Sequence, residues 1–226
     1  MDHTPAVDEA VQLQLEMAHL VEPTAPEGFA PKIAAGLDVA YEPGSDRLVA
    51  AAVCVDIATL AIVDSAVHEA AADFPYVPGL FGFRELPALL PALDKLSTTP
   101  DILVCDGQGL AHPRRFGLAC HIGVVTGLPS IGVGKQALGQ YEPPGPTRGD
   151  WKPLVDNGEI VGRALRTQDD VKPVFVSIGH RIDLDTATEL VLTLSPRYRL
   201  PETTRAADHL GREVLAGRVG VQDVRD

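Results

Sequence analysis

Two aspartates stand where a sheet could bring them together. Asp38 lies in the middle of the strand-like run Ile33 to Tyr41, on the side it shares with the small residues Gly36 and Ala40. Asp106 ends the apolar run Ile102 to Cys105 and precedes Gly107, so the chain can turn sharply and leave the carboxylate at a sheet edge. A lone Asp at such a place usually caps or solvates a strand end. Two of them side by side repel unless a cation or a proton intervenes, and magnesium suits the task because it prefers carboxylate and water oxygens and keeps positions for phosphate. Glu85, between Arg84 and Leu86 at the start of a helical run, is a third candidate, although alone it reads as an acid favouring the helix dipole. Lys135 follows a buried strand and the turn Gly132-Val133-Gly134, from which an ammonium reaches a phosphate oxygen or water. Asp208 comes one turn into the last helix after Arg205, and its local pattern says little.

Two segments have the makings of a nucleic-acid contact. Phe74-Pro75-Tyr76-Val77-Pro78-Gly79 combines aromatics with prolines in a stiff loop, and a rigid wedge between stacked bases gives up little conformational entropy. A Pro-rich turn filling a core edge has the same composition. His112-Pro113-Arg114-Arg115 is expected to open a helix, where backbone amides and guanidiniums favour an anion such as a phosphodiester. Cys120-His121 is a poor nucleophile and base, because neighbours on a helix point about 100° apart. Gly132-Val133-Gly134-Lys135 lacks the spacing and the Ser or Thr of a phosphate loop. Gly179-His180 ends a strand, and His180 reads as a satisfied structural histidine.

The elements that position these residues follow from periodicity. Val7, Val11, Leu15 and Ala18 give an amphipathic helix over 7–21, broken by Pro23 to Pro31. Strand-like runs over 33–41, 48–56 and 60–68 are joined by links short enough to permit only antiparallel neighbours. Phe83, Leu86, Leu90 and Leu93 recur at helical spacing, and Pro87 and Pro91 predict that the continuous helix begins near Leu86. A buried strand over 102–105, a helix over 114–126 and a strand over 129–133 form a crossover suited to a parallel pair. The order is βββαβαβ. Residues 136–157, rich in Gly and Pro, read as a surface loop; 159–165 and 173–178 read as strands, and 185–194 and 203–216 as helices.

The 226 residues, 45% of them hydrophobic, suffice to bury one large core, and neither an internal repeat nor a long linker divides them. A single domain over 1–226 is expected, with an N-terminal helix and acidic lead-in over 1–30 and a flexible tail over 217–226. The net charge of −12 excludes a protein held to nucleic acid mainly by its overall field, and half of it lies in the first 31 residues, which hold six acids and no Lys or Arg. Residues 106–152 are locally basic, with Arg114, Arg115, Lys135, Arg148 and Lys152 against three acids. Cys54, Cys105 and Cys120 lack metal-ligand spacing and point to a reducing compartment. The longest apolar stretch is far short of a membrane span, so a cytoplasmic protein without membrane contact is expected.

Read together and in order, Gly36-Leu37-Asp38-Val39-Ala40-Tyr41, Pro75-Tyr76-Val77-Pro78-Gly79, Phe83-Arg84-Glu85 and Asp106-Gly107-Gln108-Gly109 through His112-Pro113-Arg114-Arg115 closely resemble the endonuclease V family. The likeness continues through Gly132-Val133-Gly134-Lys135, Val176-Ser177-Ile178-Gly179-His180 and Pro201-Glu202-Thr203-Thr204-Arg205. It implies an α/β, ribonuclease H-like mixed sheet, with three antiparallel strands then parallel strands, flanked by helices. It also implies a monomeric endonuclease that uses magnesium, with manganese as a substitute, to cut inosine-containing DNA at the second phosphodiester on the 3′ side. The products would carry 3′-hydroxyl and 5′-phosphate ends, and the cut would initiate repair. DNA is favoured over RNA by analogy to bacterial relatives, and an inosine-specific endoribonuclease is the alternative. By the same resemblance Asp38, Asp106 and Glu85 are metal residues, Lys135 the active-site lysine and Asp208 an acid near the metal. Pro75, Tyr76, Val77 and Pro78 match the strand-separating wedge, with Val77 where isoleucine is more usual. Gly79 and Gly107 match the pocket for the extruded base, and His112, Arg114 and Arg115 are candidates to grip the backbone. Gly134 stands where many relatives have alanine. An actin-like or sugar-kinase-like ATPase would need two lobes, for which the chain is too short. A non-catalytic ribonuclease H-like binding module would not need the retained acids and lysine.

Overall fold

In the computed structural model, which describes residues 5–221 and Val224, the antiparallel part of the sheet comes first. β1 (Ile33–Tyr41), β2 (Arg47–Asp56) and β3 (Ile62–Ala71) pair in succession, and β2 is buried along nearly its whole length because both faces are covered. Helix α2 (Phe81–Asp94) leads to β4 (Ile102–Cys105), which lies parallel to β1; α3 (Leu118–Thr126) leads to β5 (Ser130–Gly134), parallel to β4. Three further strands, β6 (Trp151–Asp156), β7 (Glu159–Leu165) and β8 (Val174–His180), complete an eight-stranded sheet in the order β3-β2-β1-β4-β5-β8-β7-β6. Helices α4 (Leu184–Thr193) and α5 (Glu202–Leu215) close the chain. This is the ribonuclease H-like mixed sheet flanked by helices.

The core forms two layers because strand side chains alternate between faces. Leu37, Cys54, Leu103 and Cys105 meet Leu86, Leu89 and Ile122 of α2 and α3 on one face. On the other, Val49, Ala51 and Val53 meet Ala207 and Val214 of α5, while Val104, Ile131 and Val176 meet Ala187 and Val191 of α4. Asp38 shares the second face. Its neighbour Gly36 lies so close to α5 that an added Cβ would stand 2.1 Å from the Thr203 carbonyl.

Several boundaries depart from the periodicity. β6 falls inside the expected loop over 136–157 and pairs antiparallel with β7 through Asn157-Gly158, both at positive φ. That dipeptide is a strong hairpin signal, masked by Pro153, which an edge strand tolerates. Helix α3 starts at Leu118 instead of residue 114 because Arg115 takes a positive φ of 57°; His112 to Arg115 therefore form turns ahead of the helix. Helix α2 starts at Phe81 in spite of Pro87 and Pro91, held by the buried Leu86, Ala88, Leu89 and Ala92. β3 begins at Ile62, since Leu60 occupies the turn at φ 61°. Helix α1 (Pro5–Met17) runs into a 3₁₀ turn at Ala18–Leu20, and its buried stripe is Val7, Ala10 and Gln14, with Leu15 50% exposed. In the tail, Val219 and Val224 pack near Val214, and Ser65 Oγ donates to the Val224 carbonyl at 2.9 Å. Residues 1–4, and residues 222, 223, 225 and 226 of the expected tail, lie outside the described residues. No described helix is long and apolar enough to cross a membrane.

Candidate active site

The parallel register of β1 and β4 sets Leu37 level with Cys105, so the residues that follow, Asp38 and Asp106, come side by side. Their carboxyl groups lie close enough to perturb each other, and α5 brings Asp208 toward Asp38 from the second face. Burial, and then the charges of Asp106 and Asp208, push the Asp38 carboxyl up to about 8 against the opposing pull of Lys135. Lys135, just past the end of β5, forms an ion pair with Asp106. Burial alone would lower its ammonium, but Asp106, Asp38 and Asp208 together hold it above its ordinary value. Asp208 also pairs with Arg212 at 2.8 Å, one turn along α5.

Glu85 reaches the cluster from the first turns of α2, accepting a hydrogen bond from the Tyr41 hydroxyl at 3.1 Å. Burial pushes its carboxyl up to about 7, although the Tyr41 bond opposes the shift. In turn, burial and then Glu85 raise the Tyr41 phenol. Next to Glu85, Asp106 and Lys135 opens a cavity of about 300 Å³, with Gly79, Gly107, Phe81 and His112 among its lining residues. Gly79 sits at φ 84°, a conformation that favours glycine, and a side chain there would meet the tip of the Arg114 guanidinium at 2.9 Å and push it aside. Gly107 is less constrained, since an added Cβ would make ordinary contacts with Leu118 at 3.5 Å.

At the rim, Tyr76 is 66% exposed and stands edge-to-face on Phe81, with ring centroids 5.0 Å apart. Val77 turns inward against the cluster of Val7, Ala10 and Leu80. The segment is stiffened behind by the Phe74–Phe83 ring contact and by Arg84, whose guanidinium donates to the Phe74 carbonyl. His112 is buried, and burial and then Arg114 push its imidazole down to about 4, so it is neutral at pH 7. Its Nδ1 accepts from the Arg114 amide at 3.2 Å, while Nε2 lies beside Gly79 without a well-formed hydrogen bond. Arg114 donates to the Gly79 carbonyl at 2.8 Å. Arg115 points elsewhere, to Asp156 at 2.7 Å and Glu159 at 3.4 Å.

Of the remaining basic residues of 106–152, Arg148 donates to the carbonyls of Thr167, Ser195 and Leu192, and Lys152 pairs with Glu142 at 3.0 Å. Neither lines the cavity. The Cys120 thiol is buried, pushed up to about 12 by burial, and His121 packs against the rings of Phe83 and Phe116. His180 is structural, its Nδ1 accepting from the Glu22 amide at 3.2 Å.

Among the described residues no group of three or more His, Cys, Asp or Glu side chains stands ready-made as a metal cage. The donor set of Asp38, Asp106 and Glu85 is all carboxylate oxygen, without the His or Cys of a zinc site. A carboxylate pair that leaves most positions to water fits magnesium, which usually keeps several waters and binds one or two carboxylates. Three further residues that local pattern does not single out as site residues reach the cluster or the cavity. Tyr41 orients Glu85 across 44 residues, Gln14 enters the cavity from α1, and Arg199 donates to the Lys135 carbonyl at 2.6 Å, fixing the backbone that carries the ammonium.

The model of the family described as Endonuclease V matches residues 15–209. A curated endonuclease V from Nocardia farcinica is 56% identical over 213 residues, covering 94% of each chain. The crystal structure of endonuclease V from Streptomyces avermitilis is similar at a TM-score of 0.88 and 52% identity, covering 93% of each chain. Endonuclease V from Ciona intestinalis, in complex with a 24mer DNA containing an inosine followed by a ribo-adenosine, shares the fold at a TM-score of 0.83 and 23% identity, covering 95% of this chain and all of that one.

Proposed function

The chain belongs to the endonuclease V family, and on that premise we propose that it is a magnesium-dependent endonuclease cutting DNA at the second phosphodiester 3′ to inosine. The observation that carries this reading is the juxtaposition of Asp38, Asp106 and Lys135 with a cavity that shares Asp106 and Lys135 in its wall. Chemistry and base recognition thus lie side by side without coinciding, which suits a cut displaced along the strand from the base that is read. The Ciona member of the family, bound to inosine-containing DNA, supports the choice of base.

Asp38 and Asp106, with Glu85, would hold the metal. Bound there, the ion would lower the pKa of a water and neutralise charge on the phosphate under attack. Lys135, an ammonium held charged by the surrounding acids, donates hydrogen bonds to a phosphate oxygen or to the water. Tyr41 holds one Glu85 oxygen and so fixes the carboxyl beside the cluster. Tyr76 replaces the stacking lost when the base leaves the duplex, and its contact with Phe81 links wedge to pocket. Hypoxanthine differs from adenine by an acceptor at C6 and a protonated N1, a difference that backbone groups around Gly79 and Gly107 can read after flipping. Arg114 keeps a guanidinium near this wall for the intervening backbone. Arg115 can join only by leaving Asp156 and Glu159.

An end-labelled duplex with one inosine tests the proposal. Magnesium should bring a nick at the second phosphodiester on the 3′ side, leaving a 3′-hydroxyl and a 5′-phosphate with the base still attached. Release of free hypoxanthine, or a nick on the 5′ side, refutes it; preferential cutting of inosine RNA would change the substrate alone.

A further inference from the structure

Helix α1 packs its buried side on the wedge segment: Val7 and Ala10 join Leu80 in one cluster, with Phe74, Val77 and Phe83 packed against it. The next inward position is polar. Gln14 is only 3% exposed, lies one residue ahead of the segment matched by the family model and belongs to none of the motifs above. Its Nε2 donates to the Gly79 carbonyl at 3.1 Å and to the Phe116 carbonyl at 2.5 Å, while its Oε1 accepts from Arg114 Nε at 2.5 Å. Arg114 returns a second bond, at 2.8 Å, to the same Gly79 carbonyl.

We propose that Gln14 is a positioning residue for the base pocket, locking the Gly79 wall, the Arg114 guanidinium and the turn at Phe116 into one preformed surface. The ligand in this statement rests on the inosine reading above; the lock itself does not. A primary amide supplies two donors and an acceptor without charge, and all three functions are used here. A carboxylate would keep the acceptor for Arg114 but press an oxygen against two carbonyls. An apolar side chain would leave the Arg114 Nε and the Phe116 carbonyl unpaired in a buried place. Gly79 is the residue with most to lose, because its left-handed conformation at φ 84° is fixed from outside by these bonds and by nothing in its own side chain. With the lock intact the wall stands ready before the base arrives, and affinity is not spent on ordering it.

The test uses Gln14→Met, close in volume and free of polar atoms, with Gln14→Glu as a second variant that keeps the Arg114 contact should the first fail to fold. Amide hydrogen exchange over residues 77–83 and 112–118 should accelerate without substrate. In calcium in place of magnesium, the dissociation constant for an inosine-containing strand should rise about tenfold, and clearly more than for the same strand carrying adenine, which loses only the Arg114 grip on the backbone. Under magnesium, KM should rise while kcat stays near wild type, because the reacting groups are untouched. Equal weakening of both strands, a fall in kcat at constant KM, or unchanged exchange in the two segments overturns the proposal. If the wild-type protein shows no preference for inosine, the functional reading fails, and the exchange data alone then decide whether Gln14 holds the wall.

Discussion

Substituting Gly36 by alanine should damage the protein far more than the same change at Gly211, although both glycines lie in the contact between β1 and α5. A Cβ on Gly36 would stand 2.1 Å from both the carbon and the oxygen of the Thr203 carbonyl and 2.6 Å from the Thr204 nitrogen. Ordinary carbon contacts are about 3.5–4.0 Å, so the start of α5 would have to retreat by about 1.5 Å. The obstructing atoms are backbone and cannot swing aside. A cost of about 3 kcal/mol, the upper part of the range for overpacking, corresponds to a Tm lower by about 6–12 °C in a chain of this size. At Gly211 the added carbon would meet the Ala40 Cβ at 3.3 Å and the Val49 carbonyl oxygen at 3.5 Å. The helix propensity gained there, about 1 kcal/mol, offsets that crowding and leaves Tm within a few degrees of wild type. Activity should follow the same division, because Asp208 rides on α5 and faces Asp38. Displacing α5 by more than about 1 Å should lower nicking on the order of 100-fold in Gly36→Ala. Thermal denaturation and single-turnover nicking, measured on both variants, decide the matter. Equal stability of the two, or full activity in Gly36→Ala, would refute the argument from close approach.

Asp38→Ala and Asp106→Ala should each abolish cleavage yet retain binding of inosine-containing strands in calcium, because the acids hold the metal and not the base; wild-type nicking rates in either would remove them from the site. Tyr76→Ala should weaken cleavage more on duplex than on single strands, since unstacking costs on the order of a few kcal/mol per step and a single strand has little stacking to break; equal losses on both would reduce the loop to a structural turn. Burial, then Asp106 and Asp208, push Asp38 up to about 8, and burial pushes Glu85 up to about 7, so both favour the fold when neutral. Metal-free protein should therefore be most stable at low pH on this account and lose that contribution as pH rises from about 4 to about 8. Magnesium must displace the same protons, so it should raise Tm more at about pH 8.5 than at about pH 6, and an equal increment at both would speak against a shared carboxylate site.

What the sequence makes legible is what local pattern controls. The strand-like run 33–41, the apolar run 102–105 and the glycine after Asp106 suffice to put one acid within a strand and the other at a strand end, and the composition of 74–79 marks a stiff loop; that the two strands are neighbours comes from the sheet. Functional partners that arrive from a distance leave no such trace. Asp208 looks like any exposed acid on an amphipathic helix until Gly36 is seen to admit α5 against β1. Gln14 looks like a surface residue because helical spacing predicts the stripe from apolar positions, and here backbone carbonyls of Gly79 and Phe116 make a polar residue the better inward choice than Leu15. Arg114 and Arg115 show the opposite failure. Their charge is read correctly, but a positive φ at Arg115 delays the helix and sends one guanidinium to Gly79 and the other to Asp156.

The position of the cluster follows from unequal strand lengths. β1 has nine residues and β4 four, and their parallel register begins with Ala34 opposite Ile102 and ends with Leu37 opposite Cys105. Past that point β1 continues to Tyr41 with only β2 beside it, while β4 turns away at Asp106 and Gly107. Asp38 is therefore a mid-strand residue with a rigid antiparallel neighbour on one side and an open edge on the other. The turn after β4 and the end of β5 supply Asp106 and Lys135 to that opening, and α2 supplies Glu85. Had β4 run as long as β1, its backbone would have filled the space where the carboxylates now meet. The shortness of the apolar run Ile102 to Cys105 is thus what makes a cleft possible at the centre of a continuous sheet, and the antiparallel hairpin of β1 and β2 is what keeps one wall of it fixed.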